Sequence, residues 1–211
     1  MTPRHGLMVA ALALSAAFGT AHAADNHFKF TATVTATDGS LSGVDVGTTF
    51  TGDFNYVVDS MADSRSDSSA HYGLGNSSRI TATIAGHQIL AEYLRVGVFN
   101  NFGREGVEDG VSLRGGIPVV VDGSHYRYGS FGFELATQPG NTGVLSGTQL
   151  PSSFDVPAFD RHSYGYLDYM AGYNLLSFKV DSITASVPEP TAYLLMLSGL
   201  GLLGAMRRRR R

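Results

Sequence analysis

The chain has no cysteine and no tryptophan. Without cysteine there is no disulfide, no thiol nucleophile, no cysteine-ligated zinc and no lipid-modified N-terminal cysteine, so packing alone must stabilise the fold. Positive charge is also scarce in the middle of the chain. Between residues 24 and 187, nine Lys and Arg face seventeen Asp and Glu, a net charge of −8. No basic stripe follows a phosphate backbone, which argues against nucleic acid as a partner. Nowhere in that region does a window of eleven or more residues carry a helical hydrophobic period. Short catalytic motifs are missing too. The histidines His27, His71, His87, His125 and His162 form neither H-x-H nor H-E-x-x-H, so no metal site is expected from them. The two sequences nearest to a nucleophile elbow, GSLSG and GVLSG, have leucine at the centre.

What is present is alternation. In HFKFTATVTA, Phe28, Phe30, Ala32, Val34 and Ala36 share one face, while Lys29, Thr31, Thr33 and Thr35 share the other. Period two with Thr and Val predicts a half-buried strand. The pattern returns in residues 48–58, 79–86, 88–100, 111–115, 117–123, 125–136 and 175–187, separated by Gly, Asn and Asp turns. Residues 59–78 and 101–110 read as loops, and 137–160 as loops around one or two short strands. Eight to ten short strands, with 22 Phe and Tyr to furnish a core, predict an all-β fold: a single antiparallel β-sandwich.

Both ends differ from this body. Arg4, the apolar run from Gly6 to Phe18 and the small-x-small signal Ala21-His22-Ala23 predict a secretory signal peptide over 1–23, removed by signal peptidase so that the mature chain starts at Ala24. The other end, 188–211, begins with Pro188 and Pro190, which cannot continue a strand ladder. Sixteen uncharged residues follow, Thr191 to Met206, with Tyr193, Leu194, Leu195, Leu197, Leu200, Leu202 and Leu203 among them. As a helix they reach ~24 Å, short of a hydrocarbon core of ~30 Å. Arg207, Arg208, Arg209, Arg210 and Arg211 close part of the gap, because their stems lie along the apolar layer while the guanidinium groups reach the headgroups. The expectation is a transmembrane helix inserted transiently in the inner membrane. Gly199, Gly201 and Gly204 match G-x-G-x-x-G, but no strand precedes them and no acidic residue follows, so a dinucleotide site is rejected.

Val187-Pro188-Glu189-Pro190, the glycine-bearing hydrophobic run and the arginine cluster together resemble the PEP-CTERM sorting signal. The approach to it, LLSFKVDSITASVPEP, is similar to the ends of many bodies in that group. The resemblance implies export in a Gram-negative bacterium and recognition by exosortase, a membrane-embedded protease-like enzyme that would cut near the Pro-Glu-Pro motif. It also implies delivery to the cell surface or exopolysaccharide matrix.

Within the body, 24–187, the tyrosines Tyr164, Tyr166, Tyr169 and Tyr173 fall within ten residues and suit stacking on sugar rings if they share an exposed face; packing in the core is the alternative. Asp59, Asp63 and Asp67 are spaced by four, which on a helix would gather them on one face for calcium, though a solvated loop fits the surrounding Ser and Arg better. Glu105, Glu108 and Asp109 offer carboxylates for glycoside hydrolysis if two of them span a cleft. No cofactor is expected, calcium being the one left open. The expected role is structural and matrix-associated, without catalysis; a carbohydrate-binding module is the alternative and a secreted polysaccharide hydrolase the third reading.

Overall fold

A computed structural model describes residues 25–57, 60–75, 78–102, 107–116, 118–170 and 173–186. The predicted signal peptide and the sorting segment with its helix lie outside the described residues. Thirteen strands form one antiparallel sheet: β1 (Asp25–Thr37), β2 (Thr49–Val57), β3 (Ser64–Arg65), β4 (Ser69–Gly73), β5 (Arg79–Ile84), β6 (His87–Glu92), β7 (Arg95–Phe102), β8 (Glu108–Gly115), β9 (Val119–Val121), β10 (Ser124–Tyr126), β11 (Ser130–Ala136), β12 (His162–Met170) and β13 (Tyr173–Ser186). Their order in the sheet is β10-β9-β6-β5-β2-β1-β13-β12-β11-β8-β7-β4-β3. The expected sandwich is therefore one continuous sheet curled on itself.

The bend lies at the two longest strands. β1 and β13 pair side by side, and their register slips between Thr31 and Ala32 and between Val34 and Ala36. Such bulges raise the local twist and bend a strand. They also reset parity. Phe28, Phe30, Ala32 and Val34 are buried, but Ala36, expected on the same face, is exposed beyond the second slip. In β13, Phe178 and Val180 point inward, and Ile183 takes over after the slip at Asp181.

Curling brings the two arms face to face over an aromatic core. The Phe133 ring of β11 lies 5.6 Å from both Phe30 of β1 and Phe54 of β2. Phe50 of β2 meets the edge of Phe178 of β13 at 5.1 Å. Two glycines make room for these rings. A Cβ at Gly52 would sit 2.2 Å from the Phe30 ring, and one at Gly165 would sit 2.1 Å from Phe178. Further along, Gly115 of β8 nests against Ala91 and Ile80 of the opposite arm.

Turn chemistry explains several strand ends. Ala85 and Gly86 at positive φ join β5 to β6, and Asp122-Gly123 join β9 to β10, both as the mirror-image two-residue turns that match strand twist. Tyr93, also at positive φ, breaks the run 88–100 into β6 and β7. Strands appear in places read as loop. β3 and β4 lie within residues 59–78. The tyrosine segment, to which the sequence pattern assigns no element, forms β12. Residues 137–161 remain irregular apart from a 3-10 turn at Val156–Ala158, yet they are not a loose loop. Leu150, Val156 and Phe159 are buried, Phe154 meets the edges of Phe28 and Phe54, and the Tyr56 and Tyr72 hydroxyls donate to the carbonyls of Pro151 and Thr148. The segment plugs one end of the core. Among the described residues, no helix is long and apolar enough to cross a membrane.

Candidate functional site

The arm that contains β4, β7, β8, β11, β12 and β13 turns its alternate residues outward. Strand register sets them in rows. One row runs Gly73, Arg95, Arg114, Gly132, Tyr166, Ser177 across those strands. The next runs His71, Gly97, Ser112, Glu134, Tyr164, Lys179. The intervening residues, Val96, Leu113, Phe133 and Phe178 among them, are buried on the other side. The outer face is thus polar and aromatic, and its glycines Gly73, Gly97 and Gly132 lie close against Asp63, Ser112 and the Leu113 carbonyl.

The four candidate tyrosines split into two groups. Tyr164 and Tyr166 lie on this outer face with ring centres 6.2 Å apart. Tyr164 is 41 % exposed, and its hydroxyl meets the Ser177 hydroxyl at 2.9 Å. Tyr166 is half-buried; burial raises its phenol above the usual range, against the nearby Arg114. Tyr169 has the opposite parity. Its ring lies 5.8 Å from that of Tyr173, tilted to it, and 6.5 Å from Tyr126, at the end of the β12–β13 hairpin. One platform of four was the expectation; alternation along β12 divides it.

One hollow borders Tyr164, and another lies beyond Tyr166 beside Arg114 and Ser130. On one side a cleft of about 520 Å³ runs between residues 156–161 and the strands, bordered by Tyr164, His162, Lys179 and Asp181. His162 reaches Glu134 at 3.2 Å and Thr33 donates to Asp181 at 2.6 Å. On the other side, Arg114 donates to the Ser130 hydroxyl, which donates in turn to Asp168, each at 3.3 Å. The second oxygen of Asp168 is buried without a partner, and burial raises this carboxyl above its usual range, opposed by Ser130 and Arg114. Sequence reasoning missed Arg95, Arg114, Ser130 and Asp168. Each lies on the outward parity of its strand, but only the register makes them neighbours.

The acidic candidates are differently employed. Asp109 is fully buried. Its carboxylate accepts backbone N–H bonds from Asn101 (2.9 Å), Val144 (3.0 Å) and Leu145 (2.8 Å), and its own N–H donates to Thr137. Glu108 accepts from Arg161 at 2.5 Å. As successive residues of β8 they point to opposite faces, so they cannot oppose each other across a cleft. Asp63 and Asp67 belong to the β3–β4 hairpin and its approach, not to a helix. Glu105 and Asp59 lie outside the described residues, as do Ala21, Ala23, Ala24 and every residue from Val187 to Arg211. Among the described residues, no group of three or more His, Asp or Glu is placed to hold a metal ion.

His87 closes a separate junction at the far arm. One ring nitrogen meets Asp122 at 2.6 Å and the other meets the Ser42 carbonyl at 3.0 Å. Both neighbours are acceptors, so the doubly protonated imidazolium satisfies both. The Asp122 bond, then the Ser42 bond, raises His87 above its usual range.

Neither curated proteins nor solved structures match this chain. The family model for the PEP-CTERM protein-sorting motif matches residues 186–211. The chain therefore carries a PEP-CTERM protein-sorting motif, which supports its sorting to the cell surface by exosortase.

Proposed function

We propose that the exported body is a non-catalytic component of the exopolysaccharide matrix, and that it binds carbohydrate through the outer face centred on Tyr164 and Tyr166. The observation that carries this reading is the pair itself: two partly exposed rings side by side on the outer face, beside a cleft rimmed by charged and hydroxyl groups. Tyrosine offers an apolar face to the C–H surface of a sugar, and the surrounding donors and acceptors suit its hydroxyls. The employment of Asp109 and Glu108 in structural bonds weighs against the hydrolase reading. Signal peptidase and exosortase, both acting during export, are the processing partners this reading requires.

The test is affinity electrophoresis of the full-length chain, held in mild detergent, through gels containing polysaccharide from the host matrix. Retardation is expected. Tyr164→Ala should weaken it about tenfold, equivalent to about 1.4 kcal/mol. Tyr164→Phe, which keeps the ring and loses the bond to Ser177, should bind nearly as the parent does. Unchanged retardation in Tyr164→Ala and Tyr166→Ala, with near-UV circular dichroism intact, would reject this face. Shortening of the polysaccharide by the chain would reject the non-catalytic role.

A further inference from the structure

We infer that the outer face takes an acidic polysaccharide, with the guanidinium groups of Arg95 and Arg114 holding the carboxylate of a uronic-acid unit. This rests on the carbohydrate-binding reading and adds the charge class of the ligand.

Arg95 and Arg114 are directly opposite each other on β7 and β8. Like charges in that position repel, so the sheet gains nothing from the pair. Each guanidinium brings five N–H donors in a planar fork matched to a carboxylate. Of these, the Arg114 bond to Ser130 is made, and the Arg95 side chain has no hydrogen bond or ion pair to any described residue. Acidic groups stand nearby without closing on them. Asp168 lies behind Ser130, and Asp63 lies over Gly73, the neighbour of Arg95 in its row. Neither carboxylate forms an ion pair with either arginine.

The two arginines also border two hollows. One, of about 420 Å³, has Tyr93, Gly116 and Ser130 as its other walls. The second, of about 500 Å³, adds His71, Gly97, Ser112 and, at its edge, the Asp63 carboxylate. Both fall in the size range of small-molecule sites. Ser130, 1 % exposed and oriented by Arg114 and Asp168, supplies a polar wall to the first hollow. Between Arg114 and Tyr166 in the row stands Gly132, which has no side chain to interrupt the path. Two strand spacings separate them, about 10 Å, so one sugar chain can stack on Tyr166 and present a charged group to the arginines. The body carries a net −8 between residues 24 and 187. Such a surface repels a polyanion, and binding of one therefore reports a local site and not general adsorption.

The test is native affinity electrophoresis of the full-length chain in mild detergent, with polygalacturonate, dextran sulfate or neutral dextran cast in the gel. Polygalacturonate is expected to retard the parent most strongly, with retardation falling as salt rises. Arg95→Gln should weaken that binding about tenfold, and Arg95→Lys should recover only part of it, because an ammonium cannot grip both carboxylate oxygens. Arg95 is exposed and unpaired, so the Gln variant should melt as the parent does. Equal retardation by polygalacturonate and dextran, unchanged in Arg95→Gln but lost in Tyr164→Ala, would overturn the acidic ligand and leave carbohydrate binding standing. Retardation by dextran sulfate alone would overturn the carboxylate in favour of sulfate. No retardation by any of these polymers or by host polysaccharide would overturn the carbohydrate reading itself.

Discussion

Replacing Asp109 by alanine should be one of the most damaging single changes in this protein, for a reason unrelated to catalysis. The side chain is fully buried and accepts three backbone N–H bonds from two separate segments, at Asn101 and at Val144 and Leu145. Alanine removes every acceptor and leaves three part-buried donors, the Asn101 N–H on an exposed residue. An orphaned donor that is fully buried costs about 1–3 kcal/mol, so about 3–9 kcal/mol is the ceiling for the set. Relaxation of residues 137–145 and entry of water into the vacated space lower this toward about 4 kcal/mol. That is a large part of the roughly 5–15 kcal/mol that holds a typical domain folded. With a urea slope of about 2 kcal/mol per molar, the unfolding midpoint should fall by about 2 M. Asp109→Asn should lose less, since one carbonyl oxygen remains while the amide turns donors toward donors. If Asp109 were a catalytic carboxylate, the Asn variant would keep its stability and lose an activity. An Asp109→Ala midpoint within about 0.3 M of the parent would refute the account of this carboxylate as the anchor of the core plug.

Other perturbations separate neighbouring parts of the argument. The His87–Asp122 junction should make stability depend on pH in two directions: His87 is raised from its usual 6.5, so its contribution is complete below that value and lost as pH rises through the folded pKa. Asp122 is lowered from its usual 3.8, first by the His87 bond and then by the Gln88 N–H, so its contribution holds above that value and is lost as pH falls through the folded pKa. Urea titrations of the parent and His87→Ala should therefore differ most between about pH 4 and 6.5 and converge outside that interval; a constant difference from pH 4 to 9 would refute the imidazolium. Gly52→Ala and Gly165→Ala place a methyl inside the Phe30 and Phe178 rings, and thermal melts should show about 1–3 kcal/mol of destabilisation from overpacking; melts at the parent temperature would mean that the rings do not lie flat on those glycines.

The sequence by itself determined the fold class and the sorting motif at the C-terminal end. Alternation of apolar and polar residues is a local property, because side chains of a strand point to opposite faces whatever the strand pairs with. Phe28, Phe30, Ala32 and Val34 could therefore be assigned to the core, and the composite at residues 186–211 could be read as a sorting motif without any fold at all. The turn at Gly86 was legible for the same reason. Parity fails where a bulge inserts one residue, which is why Ala36 turned outward, and where a single positive φ at Tyr93 divides an unbroken run into two strands.

Only the tertiary structure decided the neighbours. Arg95, Arg114, Ser130 and Asp168 are far apart along the chain, and the pairing of β7, β8, β11 and β12 makes them one cluster. Tyr164 and Tyr169 are five residues apart and end on different faces, and Glu108 and Asp109 are adjacent and end in different roles. Pairing order and register depend on which distant strands bury the most apolar surface together when the sheet curls. That is a sum over the whole core, and no short stretch of sequence contains it.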